Sequence, residues 1–150
     1  MTNTNLVDPA NAGNAGYGNV INTILAKGVC PFCPENFHWH ENPIIKQVPA
    51  GDNYWFITKN SWPYENSRHH FIIIGSAHIT EMFELTSNDF SCVQILVKHV
   101  MEKYGISGGA LMLRFGETLY TGATVVHLHF HFIVPKVEDG KALPVWFPVG

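Results

Sequence analysis

Residues 127–135 read His127-Leu128-His129-Phe130-His131-Phe132-Ile133-Val134-Pro135, so three histidines alternate with large apolar residues. Side chains of a β-strand alternate between its two faces, which predicts a strand with all three imidazoles on one face and the apolar residues against a core. Neighbouring imidazoles would lie about 6.6 Å apart, close enough to surround one phosphate or flank one metal ion. Histidine serves as nucleophile, proton shuttle or metal ligand near neutral pH.

The composition around this stretch is that of a globular domain. The chain has 150 residues, of which 46% are apolar and 14% charged, and its net charge is −3. Because no basic run is present, we expect no binding to duplex nucleic acid through phosphate neutralisation. The apolar runs are too short for a membrane span, no signal peptide is recognisable, and three cysteines make an odd number, which favours a reducing cytoplasm.

Periodicity along the chain predicts an α+β domain. Residues 1–16 are rich in Asn, Ala, Gly and Thr and are expected to form a flexible N-terminal tail, and residues 17–150 a single domain. Helices are predicted at 17–27 and 87–104, and strands at 44–48, 54–58, 70–74, 110–115 and 125–134. The turn at 50–53 makes the first two strands a hairpin, so we expect an antiparallel sheet of about five strands with two helices.

The second helix carries the strongest signal. Thr86 or Ser87 can cap its start and Gly105 can end it. Its apolar face is predicted from helical spacing to consist of Phe90, Val93, Val97, Val100, Met101 and Tyr104.

Cys30 and Cys33 form a Cys-x-x-Cys pair with three possible interpretations. The pair could be a dithiol redox site, although such motifs open a helix and here Pro34 follows. It could be half of a zinc site, since two thiolates at this spacing bind a tetrahedral ion but need two further ligands. It could also be two free cysteines. Cys92 lies within the long predicted helix and is expected to be a small core residue.

Other candidates flank the predicted strands. His70 and His78 stand on either side of an apolar strand, whereas His38, His40, His69 and His99 are expected to be surface residues. Gly116, Gly122 and Thr124 precede the histidine stretch, and a glycine-rich turn can offer N–H groups and a hydroxyl to a phosphate.

Taken together, these motifs resemble those of the histidine-triad superfamily. His127, His129, His131, Phe132 and Ile133 are similar to its His-φ-His-φ-His-φ-φ signature, where φ is apolar. Residues 70–78 resemble the upstream strand of that family, 60–63 its Asn-x-x-Pro loop, 122–125 its Gly-Gln-Ser/Thr-Val segment and 146–150 its Trp-containing tail. The resemblance covers residues 30–150 and implies the histidine-triad (HIT-like) fold.

The resemblance implies roles for individual residues. His129 matches the nucleophile, whose other ring nitrogen would donate to a backbone carbonyl, and His131 matches the contact to the scissile phosphate and leaving group. His70 matches the upstream active-site histidine. The matching substrate-binding positions are Asn60 for ribose, and Thr124 and Gly122 for phosphate.

Many bacterial members resemble this chain in their Cys-x-x-Cys pair, which implies zinc on Cys30, Cys33, His78 and His127. A closed site of four ligands implies a structural zinc. Members also form homodimers through the long helix and an edge strand, and the same is expected here.

The chain departs from the family pattern around the phosphate. His69 replaces a glycine, Ser76-Ala77 replaces Pro-Lys, and Ala123 replaces a glutamine. The usual Asn-x-Gly turn reads Arg114-Phe115-Gly116, so Arg114 or Arg68 is a candidate for a replacement donor.

Three functional hypotheses follow. The first is a nucleotide hydrolase or transferase that forms a nucleotidyl-histidine intermediate from a dinucleoside polyphosphate, a nucleoside phosphoramidate or a similar derivative. The second is a non-catalytic nucleotide-binding regulatory module. The third is a metalloenzyme in which His127, His129 and His131 bind one ion, which the spacing of strand residues disfavours.

Overall fold

A computed structural model describes residues 6–12 and 15–150, the side chains of Ala15 and Trp39 excepted. Its helices are α1 (Ala15–Lys27), α2 (Ser87–Tyr104) and the short α3 (Thr118–Thr121), with 3-10 turns at Pro9–Asn11, Pro34–Trp39 and Met82–Glu84. The strands are β1 (Ile44–Ala50), β2 (Asn53–Lys59), β3 (Ser67–Gly75), β4 (Ala110–Leu113), β5 (His129–Pro135), β6 (Val137–Glu138) and β7 (Lys141–Ala142). No helix among the described residues is long and apolar enough to span a membrane.

The main sheet confirms the predicted fold class. Its five strands are antiparallel in the order β1-β2-β3-β5-β4, and β6 and β7 form a separate two-stranded hairpin. The β1–β2 hairpin pairs Ala50 with Asn53 across a two-residue turn, where Gly51 takes a φ of +64° that glycine accepts at low cost. The prediction did not include α3, the 3-10 turns or the β6–β7 hairpin, and it began the last strand at residue 125 instead of His129.

The sheet has two covered faces. One packs against α2, and its buried core includes Trp55, Phe71, Ile73, Leu96 and Phe130. The other packs against α1 and the Cys-x-x-Cys loop, with Ile21, Phe32, Phe56 and Ile72 in its core. Because side chains alternate along β5, Phe130 and Phe132 enter the first core while His129 and His131 lie on the second face.

Helix α2 has the predicted bounds and most of the predicted buried face. Thr86 and Asp89 form a capping box at its start, and Gly105 ends it at a φ of +62°. The buried residues are Cys92, Val93, Leu96 and Val100, whereas Phe90 is 43% exposed. Val97, Met101 and Tyr104 of the predicted face are partly buried against the same core. The prediction included the exposed Phe90 and left out the buried Leu96.

Residues 6–12 of the predicted tail lie against the domain. Val7 is 1% exposed and forms a β-bridge with Val125, and the Asp8 N–H donates to the Thr124 carbonyl at 2.6 Å. Buried Val7 and paired backbone groups therefore attach this segment to the domain, and the flexibility of residues 1–16 stays a prediction. Residues 1–5 and 13–14 of the predicted tail lie outside the described residues.

Candidate active site and metal centre

Antiparallel pairing of β3 with β5 brings three of the predicted residues together. His131 is paired with Ile72 and His129 with Ile74, while His70 stands opposite Ile133. All three imidazoles are buried. The His70 and His131 rings are joined by a contact of 2.8 Å between Nε2 and Nδ1, and the His129 and His131 ring centroids lie 4.9 Å apart.

The hydrogen bond of His129 decides which of its nitrogens can react. Its Nδ1 lies 2.8 Å from the carbonyl oxygen of His127. A carbonyl can only accept, so Nδ1 carries the proton and Nε2 keeps its lone pair. Burial lowers the pKa of His129 to about 3, against the opposing effect of the His127 carbonyl. His129 is therefore neutral at physiological pH, with an unprotonated nitrogen on a residue that lines a cavity.

A chain of hydrogen bonds assigns the protons of His70 and His131. The Tyr64 backbone N–H donates to His70 Nδ1 at 3.1 Å, so neutral His70 carries its proton on Nε2. That proton is donated to His131 Nδ1, which leaves the His131 proton on Nε2. Burial lowers the pKa of His70 to about 4 and holds that of His131 well below its usual value, so both rings are neutral. The outcome is an N–H donor on His131 beside a lone pair on His129.

Arg114 adds a permanent positive charge to this face. Its Nη1 donates to the carbonyls of Gly122 at 3.2 Å and Pro148 at 3.1 Å, and its Nη2 lies 3.5 Å from His131 Nε2. The guanidinium also stacks 4.9 Å from the Phe147 ring centroid. Its Nε is buried and has no partner among the described residues. Two donors that face one another, on His131 and Arg114, form a favourable site for an anion.

The remaining predicted binding residues line the same cavity. Asn60 Nδ2 lies 3.2 Å from His70 Nε2, and its Oδ1 accepts from the Trp62 N–H at 2.9 Å. Gly122 takes a φ of +65°, and a Cβ there would lie 2.8 Å from the Gly150 carbonyl oxygen. The Thr124 hydroxyl donates to the Asn11 carbonyl at 3.1 Å, so its only proton is already engaged.

Cys30, Cys33, His78 and His127 converge beside this cavity, with their ligand atoms within 4.8 Å of one another. Nδ1 of His127 lies 3.4 Å from Cys30 Sγ and 3.2 Å from His78 Nδ1, and Cys33 Sγ lies 3.4 Å from His78 Nδ1. Bonds of about 2.3 Å to sulfur and 2.0 Å to nitrogen give edges of about 3.3–3.8 Å in a tetrahedral zinc site. The four residues therefore fit zinc.

A contact with a backbone carbonyl prepares His127 for this site. Its Nε2 lies 2.8 Å from the Gly75 carbonyl and must donate to it, so Nδ1 keeps the lone pair that a metal needs. His127 lies in a bend before β5, whereas the sequence placed it within the strand. The His127 ring lies against both cysteines, with its Nδ1 3.4 Å from Cys30 Sγ and 3.8 Å from Cys33 Sγ.

The structure gives less support to the other interpretations of the cysteines and histidines. Cys30 and Cys33 form no disulfide, and each lies against a histidine ring nitrogen. His129 and His131 belong to no metal-binding cluster found within residues 6–12 and 15–150. The three-histidine ion site is therefore not supported. Cys92 is buried in α2, as expected of a core residue.

Sequence reasoning missed several aromatic residues around the site. Tyr64 and Phe147 flank His131, with ring centroids 5.9 and 5.1 Å away, and Phe32 meets the His129 ring edge-on at 4.8 Å. Of these three residues, only Phe32 was marked by a sequence motif, because it lies between the two cysteines. His40, expected on the surface, instead stacks on Phe37 at 4.5 Å and lines the cavity.

Comparison with known proteins identifies relatives of the same fold. Residues 31–142 match the family model described as "Scavenger mRNA decapping enzyme C-term binding", which is HIT-like. A HIT family hydrolase from Clostridium thermocellum is 24% identical, with a TM-score of 0.53 over 77% of this chain and 96% of its own.

Two further solved structures share the fold. A histidine triad nucleotide-binding protein from Candida albicans is 18% identical, with a TM-score of 0.54 over 81% of this chain and 85% of its own. A zinc-bound histidine triad family protein from Mycobacterium smegmatis is 17% identical, with a TM-score of 0.51 over 79% and 83%. No curated protein matches the chain.

Proposed function

Because the chain belongs to the histidine-triad superfamily, we propose that it hydrolyses or transfers a nucleotide derivative at the α-phosphate through a nucleotidyl-histidine intermediate. At the level of the superfamily, the relatives support a nucleotide-binding or nucleotide-hydrolysing function. The substrates that suit this chemistry are dinucleoside polyphosphates and nucleoside phosphoramidates.

The reaction proceeds by two displacements at phosphorus. Nε2 of His129 attacks, a P–N bond forms, and the bond to the leaving group breaks. The N–H of His131 holds the leaving atom by a hydrogen bond, and the leaving group departs with a proton drawn from solvent. Water or an acceptor phosphate then attacks phosphorus, the P–N bond breaks, and His129 returns to its neutral form. Arg114 stabilises the negative charge on the phosphoryl oxygens.

One observation carries this proposal: the unprotonated Nε2 of His129 lies beside the donors of His131 and Arg114. A nucleophile with adjacent anion donors is the arrangement that phosphoryl transfer requires. Substituting His129→Ala should abolish turnover of an adenosine phosphoramidate while AMP binding stays measurable. His99→Ala, on α2, is the matched control. Full activity of His129→Ala would contradict the mechanism.

The alternative is a module that binds nucleotides without cleaving them. The observation that favours it is the Thr124 hydroxyl, which is engaged by Asn11. Tight AMP binding by the wild-type chain, together with no cleavage of any adenylated substrate, would support this alternative over the enzyme.

We assign a structural role to zinc at Cys30, Cys33, His78 and His127. Four protein ligands leave no open position on the ion, so zinc would supply rigidity and no Lewis-acid chemistry. Zinc would also stabilise the reaction centre, because the carbonyl of its ligand His127 accepts a hydrogen bond from His129 Nδ1.

We also propose a homodimer, formed through α2 and the edge strand β4. A groove there is lined by apolar residues of both elements, and Phe90 and Leu111 are 43% and 48% exposed. Pairing two β4 edges would cover them and join the sheets of two copies. Leu111→Glu should give a monomer in sedimentation equilibrium, whereas Leu119→Glu, at an exposed site on α3, should not. An unchanged mass for Leu111→Glu would contradict this interface.

A further inference from the structure

Tyr17 is a polar residue of the cavity that no sequence motif marks. It lies on α1 and lines the same cavity as His129, His131 and Arg114. Its ring packs on Trp62 at a centroid distance of 5.6 Å, which fixes its direction. Its phenol lies within hydrogen-bonding reach of the Thr124 side chain. Helix α1 thus places a hydroxyl group where the sequence predicted only Thr124.

The hydrogen bonds around Thr124 show which group donates. The one proton of the Thr124 hydroxyl points at the Asn11 carbonyl, 3.1 Å away. The Thr124 oxygen is therefore an acceptor, and Tyr17 is the donor of their pair. Asn11 is held in turn, because its Nδ2 donates to the Ala123 carbonyl at 3.0 Å. Thr124 could offer its proton to a phosphate only by breaking the contact with the N-terminal segment.

The phenol of Tyr17 keeps its proton at neutral pH. Burial raises its pKa to about 12, and the contact with Thr124 and the nearby Arg114 guanidinium oppose this rise. The same cavity therefore contains a neutral O–H donor, a cationic donor and the His131 N–H. Such a set can contact different oxygens of one phosphate.

On the premise of the proposed function, we propose that Tyr17 is a further catalytic residue, whose phenol donates to a non-bridging oxygen of the α-phosphate. When substrate binds, the Tyr17 hydroxyl keeps its proton and its hydrogen bond shifts from Thr124 Oγ1 to the phosphate oxygen. Thr124, held by Asn11, acts as the resting acceptor that keeps the phenol aimed at the site.

The test compares Tyr17→Phe with Tyr120→Phe, a control at a tyrosine that is 73% exposed on α3. The substrates are adenosine 5′-phosphoramidate and the two diastereomers of its phosphorothioate analogue, in which sulfur replaces one non-bridging oxygen. A lost hydrogen bond to a charged oxygen predicts a fall in kcat on the order of 10- to 100-fold, with KM changed little. The preference of the wild-type chain between the diastereomers should shrink in Tyr17→Phe, because sulfur accepts hydrogen bonds weakly.

Wild-type kcat in Tyr17→Phe would overturn the assignment. Equal losses on both diastereomers, with a lower melting temperature, would also overturn it and give Tyr17 a structural role. If the wild-type chain cleaves none of these substrates or other adenylated compounds, both the proposed function and this inference are contradicted. Cleavage by the wild type without a Tyr17 effect leaves the proposed function standing.

Discussion

At the scale of single residues, the site depends on where three protons lie. Backbone groups hold two of the histidines in fixed tautomers: the His127 carbonyl holds His129, and the Tyr64 N–H holds His70. The tautomer of His131 is set indirectly, because His70 Nε2 donates a hydrogen bond to His131 Nδ1. The sequence could predict the identity of these residues from their alternation but not their tautomers, because the backbone groups that set them carry no side-chain signature.

Substituting His70→Leu tests this chain of hydrogen bonds. Without its donor, His131 is no longer held with a proton on Nε2, so we expect kcat to fall about 10- to 100-fold with zinc content unchanged. His69→Leu is the matched control, since His69 stacks on Phe71 on the other face of the sheet. Steady-state kinetics measure the effect, and wild-type kcat in His70→Leu would show that this chain of hydrogen bonds does not contribute to catalysis.

At the scale of elements, α2 and the Cys-x-x-Cys loop differ in how well they could be predicted. Local signals set the bounds of α2, because Thr86 caps it and Gly105 ends it. Long-range contacts define the loop, because Cys30 and Cys33 meet His78 and His127 only in the folded sheet. The docking of residues 6–12 could not be predicted either, since only two apolar residues, Leu6 and Val7, pack against the core.

Substituting Cys30→Ser tests the zinc assignment. Loss of one thiolate should release about one equivalent of zinc per chain in elemental analysis and lower the melting temperature. The value of kcat should fall too, because the released His127 no longer fixes the carbonyl that holds His129. Cys92→Ser, at the buried cysteine of α2, should keep its metal. Zinc retained at full stoichiometry by Cys30→Ser would contradict the site.

At the scale of the whole molecule, the buried neutral imidazoles link stability to pH. The pKa of His70 falls from about 6.5 in the unfolded chain to about 4 in the folded one, and that of His131 is also lowered, both because of burial. Below pH 6.5 the unfolded chain therefore binds protons that the folded chain does not. Stability should be constant above that pH and should decrease as the pH falls from about 6.5 to about 4.

Urea unfolding at pH 7.5, 6.5, 5.5 and 4.5 measures this dependence. We expect the free energy of unfolding to decline only in the last two samples. Because His70→Leu removes one of the responsible groups but no metal ligand, its decline should be shallower than that of the wild-type chain. Equal slopes for the two chains would show that His70 makes no contribution to acid sensitivity.

The most direct test of the proposed mechanism is to trap the intermediate. Wild-type chain mixed with radiolabelled adenosine phosphoramidate and quenched in base within milliseconds should carry AMP on a single peptide, at Nε2 of His129, because phosphoramidate bonds to histidine survive base. His131→Ala should still become labelled, more slowly, and His129→Ala should not. Turnover without any labelled histidine, or a label on His131 or His70, would contradict the account.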